Sequence, residues 1–350
     1  MFVITIGAIV LNFLVKDTIA WERYASTFPY DAKYMVPVSL NKTLADIYAE
    51  SHHNFIKPEY VGPNFKVIND KELHFKCESL MYEVIESDKR AKDPCVITDE
   101  LQKKFTLNGL IGGELQCIPA NYSEIQNGAV GNWTWKFNEI EEYDRVIEDC
   151  GPAYGNSACI EMCERYGPEF IKDKVGMVLG TQTPWAENGL IHFGAKHIIT
   201  VEYMKIVSEH PKLSAIHPVE LAKKFLTHSL PPVDFIFTYS SLEHDGLGRY
   251  GDPINPYADL ESIARAHCLL KPNGVLFLGL PVGPDKVESY LHRIYGKHRM
   301  ALILPLWEPI DLINNYLNLS DPNTYAGNFL NQLIWVLKKK NKHHHSSVRK

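Results

Sequence analysis

No Cys-x-x-Cys pair and no His-x-x-x-His pair occurs in this 350-residue chain, which argues against a structural zinc site and a helix-borne catalytic metal. No apolar run reaches the ~20 residues that span a bilayer. Basic residues are scarce in the body. Net charge is −6, and the last 13 residues, KKKNKHHHSSVRK, hold six Lys or Arg and no acid, so the 337 before them carry −12. A nucleic-acid groove needs clustered Lys and Arg on the folded domain, so nucleic acid is not expected as a partner. His343 to His345 lie among lysines in that tail, a poor setting for a metal, and residues 341–350 read as a disordered basic end. No internal repeat is evident.

What is present begins with MFVITIGAIVLNFLV, 15 residues with Asn12 as the single polar member. It fits the apolar core of a secretory signal, with Thr18 and Ala20 as a small-residue cleavage site, although no positive charge precedes it. Residues 1–20 are therefore read as a signal peptide or signal anchor, with membrane anchoring through residues 2–15 and a buried cytosolic element as the alternatives. Four Asn-x-Ser/Thr sequons, at Asn41, Asn121, Asn132 and Asn318, suit a luminal or extracellular glycoprotein. Six of the seven cysteines, Cys77, Cys95, Cys117, Cys150, Cys159 and Cys163, fall in one region and suggest up to three disulfides of open pairing. Cys268 stands apart and reads as a buried core residue.

Residues 21–168 are rich in cysteines, aromatics and turn signals without clean periodicity, and read as an accessory region packed on the carboxyl-terminal half; only 127–142 has a β-like look. From about residue 169 to 340 the pattern is regular. Short apolar runs at 175–180, 197–202, 213–217, 233–239 and 274–280 alternate with helix-length segments, which predicts an α/β fold with a mostly parallel sheet covered on both faces. The segments between are WAENGLIHFGA, a stretch after Tyr203, PVELAKKFL and PYADLESIARAHCLLKPNG. Asn255 and Pro256 read as the cap and first residue of the last helix, and Pro272-Asn273-Gly274 as its end. HRMALILPLWEPIDLI and LNQLIWVLKKK supply a sixth strand and a final antiparallel one.

In such a sheet, ligands bind outside the carboxyl ends of the strands. Gly180 ends the first run and permits close backbone approach. Glu202, about 20 residues further on, suits a pair of ribose hydroxyls, and Tyr203 or Trp185 could flank an adenine. After the fourth run comes SSLEHDG, too rich in chemistry for a simple turn. His244 has the intrinsic pKa range of a base near neutrality; Glu243 and Asp245 are its neighbours, with Ser240 and Ser241 positioning. Arg249 and Asp252 are expected to pair and hold the loop. His292, Arg293 and Tyr295 are expected on the approach to the site.

The Gly turn, Glu202, DFIFTYSSLEHDG and LLKPNGVLFLGLP together resemble the class I S-adenosylmethionine-dependent methyltransferases. VLGTQTPWAENGLIHFGAKHIITVEY and SYLHRIYGKHRMALILPLWEPIDLI are similar to an uncharacterised, largely nematode methyltransferase-like family. The resemblance implies a Rossmann-like doubly wound sheet with an antiparallel last strand. It implies S-adenosylmethionine as cofactor, held by Gly180, Thr181, Gln182, Glu202, Tyr203 and Ser240. His244, Glu243 and Asp245 would then face the acceptor, a small molecule or a glycan. The superfamily's glycine run after the first strand is reduced here to Gly180, with Thr181, Gln182 and Thr183 following. A secreted or anchored, non-catalytic relative is therefore the rival reading.

Overall fold

The computed structural model describes residues 57–68, 72–90, 95–117, 132–137, 158–181, 183–250, 252–289, 291–313 and 332–340. The amino-terminal apolar run, the sequons at Asn41, Asn121 and Asn318, Cys150, Gln182 and the basic tail lie outside them.

Seven strands make one sheet: β1 Val175–Leu179, β2 His197–Val201, β3 Leu213–Ile216, β4 Val233–Tyr239, β5 Leu270–Pro281, β6 Trp307–Ile313 and β7 Gln332–Lys339. Their order across the sheet is β3-β2-β1-β4-β5-β7-β6, and only β7 runs antiparallel to its neighbours. The strand order reverses direction at β1 and β4, the switch point at which such sheets bind ligands. β-Branched and aromatic residues suit the central strands, which are buried on both faces. Phe235 of β4 lies over Gly176 of β1 and Tyr239 over Gly279 of β5; a Cβ at either glycine would fall within about 2.2 Å of those rings.

Besides a single turn at Pro58–Val61, the α-helices among the described residues are α1 Cys77–Arg90, α2 Asp99–Phe105, α3 Ala158–Phe170, α4 Trp185–His192, α5 Pro218–Leu226, α6 Ala258–Leu269 and α7 Lys297–Ile303. One apolar core unites α3 and α4 with Phe235, Phe237, Phe277 and Val336. The other unites α5, α6 and α7 with Ile236, Leu276, Leu278 and Trp335, and takes in Leu80, Met81 and Val84 of α1. The expected doubly wound α/β arrangement is therefore present. Among the described residues no helix is long and apolar enough to cross a membrane.

Several local expectations are corrected. The stretch after Tyr203 is a short strand, Lys205–Ser208, that pairs in parallel with Asn132–Trp135. Helix α6 starts at Ala258, because Asn255 makes a tighter turn in which its Oδ1 accepts the Tyr257 amide (3.0 Å). Pro272-Asn273-Gly274 does not separate helix from strand: β5 begins at Leu270 and shifts register before Val275. HRMALI forms most of α7, and only Trp307–Ile313 forms the sixth strand.

The cysteines are corrected too. Cys268 is no isolated core residue; it bonds to Cys77 at the start of α1. Cys95 bonds to Cys117, Cys159 is also disulfide-bonded, and Cys163 is a buried free thiol.

Candidate functional site

The carboxyl ends of β1, β2 and β4 converge. Gly180 follows β1 with φ of 72°, a left-handed conformation that favours glycine, and its amide donates to the Val201 carbonyl (3.1 Å). A Cβ at this position would sit 1.8 Å from Ser241 Oγ, so the two turns touch at the floor of the site. Thr181 is buried; its hydroxyl donates to the Thr183 carbonyl (2.5 Å) and its amide to Glu202 Oε2 (3.1 Å).

Glu202, one residue past β2, also accepts the amides of Tyr203 (2.7 Å) and Met204 (3.4 Å) on Oε1. Burial raises its pKa, and the three amides oppose that rise without cancelling it. Tyr203 stays 47% exposed beside the His217 ring. Trp185 instead packs edge-on against Phe237 and Tyr239, as a core aromatic does.

After β4, Ser240 carries φ of 51°, a strained value for a residue with a Cβ. Its amide donates to the Gly279 carbonyl. Its hydroxyl donates to Glu243 Oε1 (2.9 Å) and accepts from Gln332 Nε2 (2.9 Å) at the start of β7. Glu243 is fully buried with Oε2 unpartnered, and burial lifts its pKa to about 8.

His244 lies on the same short turn. Its Nδ1 is 2.5 Å from the Leu291 carbonyl and 3.3 Å from Arg249 Nη1, and its Nε2 is 3.6 Å from Glu243 Oε1. Asp245 points away, into α6, where the Ser262 hydroxyl donates to it; burial lifts its pKa to about 7. Ser240, Glu243 and His244 are thus brought together, and Asp245 is drawn into the supporting framework.

The expected Arg249–Asp252 ion pair is replaced by another arrangement. Asp252 accepts the amides of Gly246 (2.7 Å), Gly248 (3.2 Å) and Tyr250 (3.2 Å), and Arg249 donates to the Leu291 carbonyl (3.2 Å). Arg293 and Tyr295 do not line an approach; both are fully buried. Arg293 donates to the carbonyls of Glu243, Asp245 and Asn255, which pins the loop from below. His292 is buried as well and pairs with Glu288 (2.9 Å).

Two buried groups escaped the sequence reading. Gln332 had no signal beyond its place at a strand start. Glu187, in the first turn of α4, receives the Thr200 hydroxyl (2.6 Å) and keeps Oε2 unpartnered, with burial lifting its pKa to about 8. It reads in sequence as an ordinary exposed helix acid.

No curated protein matches the chain. Among solved structures it is similar to the 1,6-didemethyltoxoflavin-N1-methyltransferase of Burkholderia thailandensis, crystallised with 1,6-didemethyltoxoflavin and S-adenosylhomocysteine, at 13% identity and a TM-score of 0.36 over 65% of this chain and 94% of that one. It is also similar to the N-methyltransferase NodS of Bradyrhizobium japonicum WM9 in complex with S-adenosylhomocysteine, at 11% identity and a TM-score of 0.34 over 58% of this chain and 98% of that one. Residues 173–332, from just before β1 to the first residue of β7, match the model of the family described as a Caenorhabditis protein of unknown function, DUF268.

Proposed function

We propose that the chain is an S-adenosylmethionine-dependent methyltransferase of the secretory pathway that methylates a hydroxyl of a glycan or small metabolite. The observation that carries this reading is Glu202, at the end of the strand beside the switch point, with three backbone amides holding its carboxylate in place while lone pairs remain for a ligand's hydroxyls. Gly180 supplies a left-handed turn that only a small residue fills, and Tyr203 offers an exposed aromatic face. These residues fit the nucleoside half of the cofactor.

When bound, the cofactor supplies an electrophilic methyl group on a sulfonium. The chain's part is to orient the acceptor and take its proton. His244, whose Nε2 lies 3.6 Å from Glu243 Oε1, is the residue assigned to that step. Two disulfides with both partners described suit an oxidising compartment.

A specific observation favours the rival reading of a non-catalytic binding module. Ser241 Oγ fills the space beside Gly180 that a longer glycine turn would leave open. Calorimetric titration of the oxidised protein with S-adenosylhomocysteine separates the two. Micromolar binding, weakened on the order of tenfold in Glu202→Gln, supports the enzyme. A folded sample that binds neither S-adenosylhomocysteine nor S-adenosylmethionine sinks it and leaves the module.

A further inference from the structure

The loop of residues 240–250 is held by parts of the chain distant in sequence. Arg293 reaches the Glu243 and Asp245 carbonyls, and its guanidinium lies 5.5 Å from the Phe105 ring of α2. The strand that carries Arg293, His292–Ile294, pairs with Lys286–Glu288, and that strand pairs in turn with Gly112–Glu114. On the other side α6 carries three loop anchors: Ser262 to Asp245, Glu261 to Asn255 (3.0 Å) and Asp259 to the Arg293 and Arg299 guanidiniums. The same Glu261 accepts Asn64 Nδ2 (2.7 Å), and Tyr257 donates to the Glu59 carbonyl while its ring closes over Gly62. Described residues between 57 and 117 therefore touch both supports of the loop.

Two covalent bonds hold that segment. Cys77–Cys268 ties the first residue of α1 to the last turn of α6, and Cys95–Cys117 closes the stretch that contains α2, Phe105 and the Gly112–Glu114 strand. Cys77, Cys268 and Cys117 are half-buried and Cys95 is exposed, so reductant can reach both bonds. Cys163 is buried and its thiol is pushed up to about 12 by burial, so it is a poor partner for exchange.

We propose that the described residues between 57 and 117 form a redox-latched clamp that sets the geometry of the 240–250 loop, with Cys77–Cys268 and Cys95–Cys117 as the latch. A dithiol reductant opens each bond by attack on one sulfur. The S–S bond breaks, two cysteine thiols form with two electrons and two protons from the reductant, and the reductant closes to its own disulfide. The seven-stranded sheet contains neither bond, so it keeps its packing while the loop loosens.

Hydrogen exchange by mass spectrometry on the full chain, oxidised and then treated with dithiothreitol, tests this without any ligand. Expected is exchange on the order of tenfold faster in peptides covering 240–250 on reduction, with peptides of β1, β4 and β5 unchanged. Cys77→Ser with Cys268→Ser should reproduce part of the effect. Phe105→Leu, which leaves both disulfides intact, should loosen the same loop. Unchanged loop exchange in a sample in which Cys77, Cys268, Cys95 and Cys117 are all shown to be reduced overturns the proposal. Equal loosening of loop and sheet also overturns it, because the bonds would then be general staples.

Discussion

Gly180 and Ser241 are the pair on which the candidate site turns most sharply. A left-handed conformation costs a residue with a Cβ roughly 1–2 kcal/mol, and the contact with Ser241 adds a steric penalty. Gly180→Ala should therefore lower stability by about 2–4 kcal/mol in urea denaturation. Adding Ser241→Gly should recover the steric part alone, so the double variant stays below the wild type by about the backbone cost. Full recovery would mean that the strain lies in the contact only. Glu187 gives a second prediction. Its pKa is about 8 in the folded chain against 4.5 when unperturbed. The proton it holds stabilises the fold fully below pH 4.5, and that contribution is lost as pH rises through 8. Glu187→Gln should thus match the wild type at pH 5 and melt about 5 °C higher at pH 9. A constant difference at both pH values would show that Glu187 does not titrate in this range.

Helix α6 and helix α7 meet through a buried ion cluster. Asp259 accepts Arg299 Nη2 on both oxygens and the Tyr295 hydroxyl (2.9 Å). Burial would raise its pKa, but the Arg293 and Arg299 guanidiniums hold the carboxyl below the usual range. Arg299→Leu leaves Asp259 with one distant guanidinium at 3.7 Å, and should cost about 3–5 kcal/mol by chemical denaturation. A loss under 1 kcal/mol would mean that Arg293 moves in to compensate. At this scale the sequence was legible wherever periodicity and burial agree. The runs at 175, 197, 213 and 233 are strands within a residue or so, and Glu202 and Ser240 fall at strand ends as read. Partners distant in sequence were not legible. Nothing local marks Arg293 as a pin for three carbonyls, or Cys268 as the mate of Cys77 across 191 residues. Glu187 was invisible for a related reason: its burial is decided by where α4 lands on β2, which the helix's own sequence does not encode.

At the scale of the molecule, the order of the strands along the chain and across the sheet leads to an expectation about assembly. Strand β5 is wholly buried from Val275 to Leu280 and is paired on one side by β4 and on the other by β7. β7 comes from residues 332–339, more than 50 residues later in the chain, and slots between β5 and β6. During synthesis β1 to β5 can form in order, yet β5 then presents an open apolar edge until the final strand emerges. Such an edge is a template for pairing with another nascent copy. A chain stopped at residue 331 should accumulate in the insoluble fraction, and a separately supplied peptide of residues 332–340 should compete for that edge and reduce the loss. The position of β7 thus gives this protein a translational deadline: its sheet closes late, and the fold can seal only after residues 332–339 have left the ribosome.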